Sequence, residues 1–211
     1  GIAWRGGEGD SAETILEDAI VMSPCAAAAI YHRDIYVSMG GMAEYFFCYY
    51  EDVDLGLRFR LLGHETIQLA GAKVRHVGST TAGKNSKFIK YYVSRNRIWT
   101  FIRCVPGLLF AACLPLLILS IVTRLCFSIF AGDTSTKLKA FFDAFRRLFR
   151  IWNDRKVIQK ARKSTVLQFG SDMTWSVGKL ILRSSDCRPI SPEKFSKEPG
   201  TPFQAGGLDG S

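Results

Sequence analysis

Between Arg103 and Arg124 the chain carries twenty consecutive uncharged residues, Cys104 to Thr123. A helix of that length, at ~1.5 Å per residue, reaches roughly 30 Å, the thickness of a bilayer's hydrocarbon core. The run therefore has to lie in lipid or in a deep protein core, and everything else must be arranged around it. Pro106 stands near its start, where a helix tolerates proline. Pro115 stands in the middle, removing a backbone donor and inviting a kink or a reversal. Two arrangements of residues 104–131 stay open, a transmembrane span and a re-entrant hairpin. Basic residues flank both ends, so the positive-inside bias selects no crossing direction.

The segments on either side differ in charge. Residues 1–80 hold eleven acids and six bases, whereas residues 81–211 hold eight acids and twenty-two bases, giving +9 over 211 residues. A length near 200 allows one ordinary domain or one and a half. The 47% hydrophobic content excludes a disordered tail as the whole answer. A basic coat for nucleic acid describes the first segment poorly, and the apolar run argues against nucleic acid as a partner. The six cysteines are scattered without zinc-ligand spacing, which reads as reduced thiols in a cytoplasm-facing protein. Opening on Gly-Ile-Ala-Trp without a charged-then-apolar leader suggests a processed chain or a fragment, with no secretory signal.

Local patterns divide the chain further. Cys25 to Tyr31 is a small-residue apolar run expected as a buried strand, and Asp34 is placed to cap a short helix through Ser38 and Met39. Leu55 to Leu62 reads as a helix closed by Gly63, and Glu65–Leu69 and Lys73–Val77 read as short strands. From Ala82 to Arg103 there is no acid, and lysines and arginines alternate with aromatics, the pattern of a basic helix. Beyond Gly132, Leu138, Phe141, Phe142, Phe145, Leu148, Phe149 and Trp152 fall on one helical face with basic residues off it, as in a helix lying at a membrane surface. Composition from Ser184 onward suggests a flexible tail.

The densest ionisable cluster is Tyr49-Tyr50-Glu51-Asp52-Val53-Asp54. Adjacent carboxylates beside aromatics suit a general base, one ionised oxygen held near a reacting hydroxyl. The same acids also suit a helix N-terminus, where they meet the positive dipole end and Asp54 reaches Arg58 four residues on. A calcium loop is excluded, because the further oxygen ligands and terminal Glu are missing at the required spacing.

The order of motifs favours catalysis. The runs Cys25–Arg33, Gly40–Phe47, Tyr50–Arg58, Ala72–Gly78 with His76, and Ser94–Arg97 resemble, in that sequence, the second half of family 2 glycosyltransferases, closest to the rhamnosyltransferase-like branch. The likeness covers roughly residues 1–165. It implies an α/β fold, the C-terminal half of a GT-A (Rossmann-like) domain followed by a membrane-associated helical extension. It implies an inverting single displacement in which Asp52, assisted by Glu51, deprotonates the acceptor hydroxyl that attacks the sugar's anomeric carbon. Gly41, Glu44, Tyr50, Asp54 and Arg95 would contact acceptor or substrate, Asp54 chiefly through Arg58. Arg95, Asn96 and Arg97 read either as phosphate ligands or as the polar face of a helix on anionic headgroups. A divalent metal, Mg or Mn, would neutralise the leaving diphosphate, with His76 in its shell.

Two departures from the family pattern bear on function. Met42-Ala43 stands where an aromatic-Asp pair is usual, and no Asp-x-Asp tripeptide precedes Cys25. The expected organisation is then 1–103 as the acceptor and catalytic-base half, 104–131 as the apolar segment, 132–168 as a basic amphipathic segment and 169–211 as a flexible tail. The expected protein is a fragment, inactive alone, of an enzyme at the cytoplasmic face of the inner membrane. That enzyme would move rhamnose or a similar sugar from a nucleotide-sugar to a lipid-linked or polysaccharide acceptor in cell-envelope synthesis, touching membrane lipids. The rival reading is a non-catalytic membrane-binding interaction module.

Overall fold

The computed structural model of the protein describes residues 3, 17–74, 83, 86–184 and 186–190. Helices dominate them: α1 (Arg33–Ser38), α2 (Glu51–Leu61), α3 (Lys87–Cys104), α4 (Gly107–Ala131), α5 (Thr134–Arg146), α6 (Leu148–Ala161), α7 (Val166–Asp172) and α8 (Val177–Leu182). The described strands are three very short ones, β1 (Ala19–Val21), β2 (Thr66–Gln68) and β3 (Arg188–Pro189), ordered β2-β1-β3. Both pairings are antiparallel, with Ile20 opposite Ile67 on one side and Arg188 on the other.

This corrects the expected fold class. A Rossmann-like half needs parallel strands joined by crossover helices, and the described residues form a mostly helical body with a small antiparallel sheet instead. The expected strand at Cys25–Tyr31 is a single helical turn, Ala26–Ala28, with no buried residue. Four successive alanines carry helical rather than β preference and bury little area per residue, so nothing draws them into a sheet. Of the two strands expected after α2, Thr66–Gln68 forms, and Lys73–Val77 lies partly outside the described residues. The segment expected as a loose tail instead contributes α8 and the edge strand β3.

The long helices obey local signals. Ser86 caps α3 by accepting the Ile89 N–H, and Thr165 with Gln168 forms a capping box on α7. Glu51, Asp52 and Asp54 occupy the first turn of α2 and Arg58 and Arg60 its last, matching the helix dipole. Gly63, at φ +87°, follows its end. Asp34 does not cap α1: His32 holds that position and Asp34 lies in the first turn. α4 runs 25 residues straight through Pro115, without the reversal of a re-entrant hairpin, and stops at Gly132 in the left-handed conformation. At about 37 Å it is long enough to cross a membrane, and it is apolar enough to do so.

α3 is the central element, packed against α5, α6 and α2. Its Ile98, Trp99, Phe101 and Ile102 meet Phe46, Phe141 and Ile151 in the main core, and the Trp99 indole N–H donates to the Ala144 carbonyl at 3.2 Å. Burial extends to its charges. Arg95, Arg97 and Arg103 are all buried, so the expected basic face on lipid headgroups is in fact turned inward. The C-terminal carbonyls of α3 are capped from α6, Arg155 donating to Ile102 and Val105 and Gln159 to Arg103 and Cys104.

Asp54 sits fully buried where α2 meets α3. Its carboxylate lies 2.9 Å from Arg58 Nε and 3.1 Å from Arg103 Nε, and Arg58 continues to the carbonyls of Met39 and Gly41. Burial by itself would pull the Arg103 guanidinium down, but Asp54, followed by Cys104, Tyr45 and Asp154, holds it above its ordinary value. Replacing Asp54 by Ala strands two buried cations, a change that costs about 3–5 kcal/mol. Denaturant unfolding of Asp54→Ala should show a loss of that size against Asp34→Ala, whose exposed partner contributes under about 1 kcal/mol; equal midpoints for the two variants would refute the hub.

Candidate functional site

The turn that leads into α2 is strained. Phe47, Tyr49 and Tyr50 all have positive φ, +68°, +63° and +71°. Phe47, with ψ −61°, makes the strained γ-turn in which the Cys48 N–H donates back to Phe46 O at 2.9 Å. Bulky residues in such conformations cost of order 1–3 kcal/mol each and persist only where surroundings impose them. α3 imposes them here. The Asn96 amide shares its two hydrogens among the carbonyls of Phe46, Cys48 and Tyr49, at 3.0, 2.8 and 2.7 Å. Arg95 donates to Tyr45 O, to Phe46 O and, through Nε at 2.9 Å, to Asn96 Oδ1, and it stacks over Tyr91, Tyr92 and Trp99.

The turn delivers Glu51 and Asp52 to the start of α2, half-buried. Asp52 Oδ1 accepts the Val53 N–H at 2.8 Å and Oδ2 accepts the Ala26 N–H at 3.1 Å, while Ser23 Oγ donates to the Asp52 carbonyl at 3.0 Å. The 23–26 segment reaches this place because residue 56 is glycine: a Cβ there would lie 2.3 Å from Ser23 Oγ and 2.8 Å from Ser23 Cα. Asp52 is thereby fixed at both oxygens by backbone donors. Glu51 is different. Its Oε2 is shielded from solvent and has no hydrogen-bond partner. Burial chiefly, with the Asp52 charge added and its own backbone N–H opposing, pushes the Glu51 carboxyl above the usual range.

Tyr31 completes the cluster. Its ring lies parallel to Phe59 at 6.0 Å, and its hydroxyl is buried without a partner. Burial first, then the nearby Asp52, pushes the phenol up to about 12. Two buried polar atoms without partners, a carboxylate oxygen and a hydroxyl, thus belong to residues on which the charge of one pinned carboxylate acts. Such an arrangement can accept a hydrogen bond or proton from an incoming hydroxyl and donate one in return.

The expected site residues separate into groups. Glu51 and Asp52 come together with Tyr50 at the helix cap, and Tyr50 Oη accepts the Ala3 N–H at 3.3 Å. Asp54 points the opposite way into the α2–α3 junction. Gly41 is buried with φ +62° beneath the Tyr36 ring, and its carbonyl accepts from Arg58 at 2.6 Å, so its contacts are internal. Glu44 is exposed on a single turn of helix, Glu44–Phe46. Arg95, expected at a phosphate, is committed to carbonyls and rings. His76 lies outside the described residues. Among the described residues no group of three His, Cys, Asp or Glu side chains is arranged to hold a metal ion. Sequence reasoning missed Tyr31, Ser23 and the Ala26 N–H, which reach the acids from about 20–30 residues away and carry no local signal. Asn96 had a signal, an amide set between two arginines inside an aromatic helix.

Comparison with protein families, with curated proteins and with solved structures finds no match.

Asn96→Ala leaves several carbonyls of the turn unpaired and should cost about 1–3 kcal/mol. Hydrogen exchange should quicken at the amides of residues 47–53, and unchanged exchange there would show that α3 does not hold the turn. The Glu51 shift has its own signature. An acid raised by burial stabilises the fold relative to its ionised form below the unfolded value, about 4.3, and that contribution is lost as pH rises through the raised folded value. Glu51→Gln should therefore flatten the fall in thermal midpoint as pH rises above the unfolded value; an unaltered pH profile would contradict the burial of this carboxyl.

Proposed function

We propose that the chain is the acceptor-side, catalytic-base portion of a membrane-associated inverting glycosyltransferase of the family 2 kind. The observation that carries the reading is the Glu51–Asp52 pair: a carboxylate pinned by two backbone donors, beside a second carboxylate oxygen and a phenol that have no partner. The order of motifs around it supports the same chemistry, and the reading rests on those motifs and that geometry rather than on sheet architecture.

In the proposed reaction Asp52 takes the proton of an acceptor hydroxyl as that oxygen bonds to the anomeric carbon of a nucleotide-sugar. The bond to the diphosphate breaks on the opposite face, and the diphosphate leaves with the electron pair. The configuration inverts in one displacement with no covalent enzyme intermediate. Glu51 Oε2 and Tyr31 Oη would orient the acceptor. A divalent ion, Mg or Mn, would neutralise the charge on the departing diphosphate.

α4 is one helix long and apolar enough to span a membrane. Its side chains are mostly exposed, with Phe130 at 90%, and the adjoining α5–α6 pair exposes Phe142, Phe145 and Phe149, the last at 82%. Exposed aromatics of this size beside Arg146, Arg147 and Arg150 suit the interface between hydrocarbon and anionic headgroups. The proposed setting is the cytoplasmic face of the inner membrane, where a soluble nucleotide-sugar, rhamnose or similar, meets a lipid-linked or polysaccharide acceptor of the cell envelope. The rival, a non-catalytic membrane-binding module, shares the helices and needs no acid pair.

In the full-length protein, Asp52→Asn should lower sugar transfer from a panel of nucleotide-sugars to membrane acceptors by about 10²–10⁴-fold, with circular dichroism unchanged and the thermal midpoint lowered only by the loss of one backbone hydrogen bond. Transfer at the unmutated rate would favour the module. Flotation with anionic phosphatidylglycerol vesicles should carry the chain upward, and a chain left at the bottom without detergent would remove the membrane setting.

A further inference from the structure

α3 buries two arginines six positions apart under opposite circumstances. Arg103 faces the Asp54 carboxylate at 3.1 Å. Arg97 is 2% exposed, and its Nε, Nη1 and Nη2 are all shielded from solvent without one hydrogen-bond partner. A buried cation left unpaired costs several kcal/mol, and a folded protein normally resolves it with a counter-charge. The charged group acting on Arg97 is a second cation, Arg124 of α4, and the polar group opposing it is the Tyr50 phenol. Burial first, then Arg124, pushes the Arg97 guanidinium down to about 10, which leaves it a cation at neutral pH.

Position adds to this. Arg97 follows Asn96, which grips the strained turn, and Tyr50 caps the helix that carries Glu51 and Asp52. Arg124 rides on the apolar helix, beside Ile121 and Leu125, which pack on the same core as Tyr50. The place between α3, α4 and Tyr50 therefore gathers the buried Arg97 guanidinium, the exposed Arg124 and a phenol, with the Asp52 charge acting on Tyr50 from the helix cap. Guanidinium forks match the oxygens of a phosphate in number and direction.

We propose that Arg97 and Arg124 form a binding site for a phosphate or diphosphate group, reached past Tyr50 and carried either by a lipid headgroup or by a soluble phosphate ester. The site stands independently of sugar transfer, since a buried guanidinium without a partner, next to an exposed one, takes an anion whether or not Asp52 acts as a base.

The test uses the full chain in uncharged detergent, with inorganic pyrophosphate as one probe and phosphatidylcholine vesicles bearing phosphatidic acid as the other. Pyrophosphate should raise the thermal midpoint of the unmutated chain progressively with concentration, as ligand linkage requires. Arg97→Met should abolish the response and Arg124→Gln should weaken the affinity about tenfold. Without ligand, Arg97→Met should melt no lower than the unmutated chain, because it deletes an unpaired buried charge. A response to pyrophosphate assigns the source to a soluble ester, and a response to phosphatidic acid vesicles alone assigns it to a lipid headgroup. The proposal fails if neither probe shifts the midpoint, if sulfate at equal ionic strength matches pyrophosphate, or if Arg97→Met and Arg124→Gln both respond like the unmutated chain. Asp52→Asn should keep the pyrophosphate response, so loss of transfer and loss of the anion site are read separately.

Discussion

The described body depends on one carboxylate. Asp54 is the buried negative charge between α2 and α3, and through Arg58 and Arg103 it draws the Met39–Gly41 turn, helix α2 and helix α3 to a common point. Arg58 and Arg103 are both buried against it, and its loss would leave two guanidinium groups without their counter-charge. The aromatic core of α3, α5 and α6 then closes over the junction, and the thiol of Cys104, 3.5 Å from the Asp54 carboxylate, adds a weak donor to it.

From that junction the chain builds outward in two directions. Toward the acids, Asn96 and Arg95 hold a turn whose backbone is unfavourable by itself, and the turn sets Tyr50, Glu51 and Asp52 at a helix start. Toward the apolar side, Arg155 and Gln159 close the end of α3, and α4 departs after Pro106. α3 thus links a polar cluster with unsatisfied atoms to a helix suited to lipid. That link is what the proposed function rests on.

Much of the helical structure was legible in the sequence, because its signals are local. The acids and arginines at opposite ends of α2, the Gly63 stop, the uncharged run of α4 and the period of α5–α6 each sit within a few residues. Of the sheet, only β2 was legible, inside the expected Glu65–Leu69 strand. An alanine run reads as apolar without saying whether a partner strand exists, and β3 pairs with β1 from about 170 residues away. Resemblance in motif order suggested a parallel sheet that the described residues do not form. The acid pair was found by its density, but the atoms that pin it, at Ser23 and Ala26, are matters of tertiary approach through Gly56. The arginines of α3 misled for the same reason: a basic, aromatic helix looks amphipathic until its counter-charges and carbonyl partners are placed.

The capping of α3 by α6 has a geometric consequence. With the carbonyls of residues 102–105 held by Arg155 and Gln159, the two-residue joint before α4 has little freedom to swivel. Whatever plane anchors α4 then sets the elevation of Glu51 and Asp52 above it, as a fixed post sets the height of a shelf. Reach would therefore be a selection rule for this protein: a hydroxyl tethered too close to that plane, or too far from it, would miss the acids however well its chemistry matched.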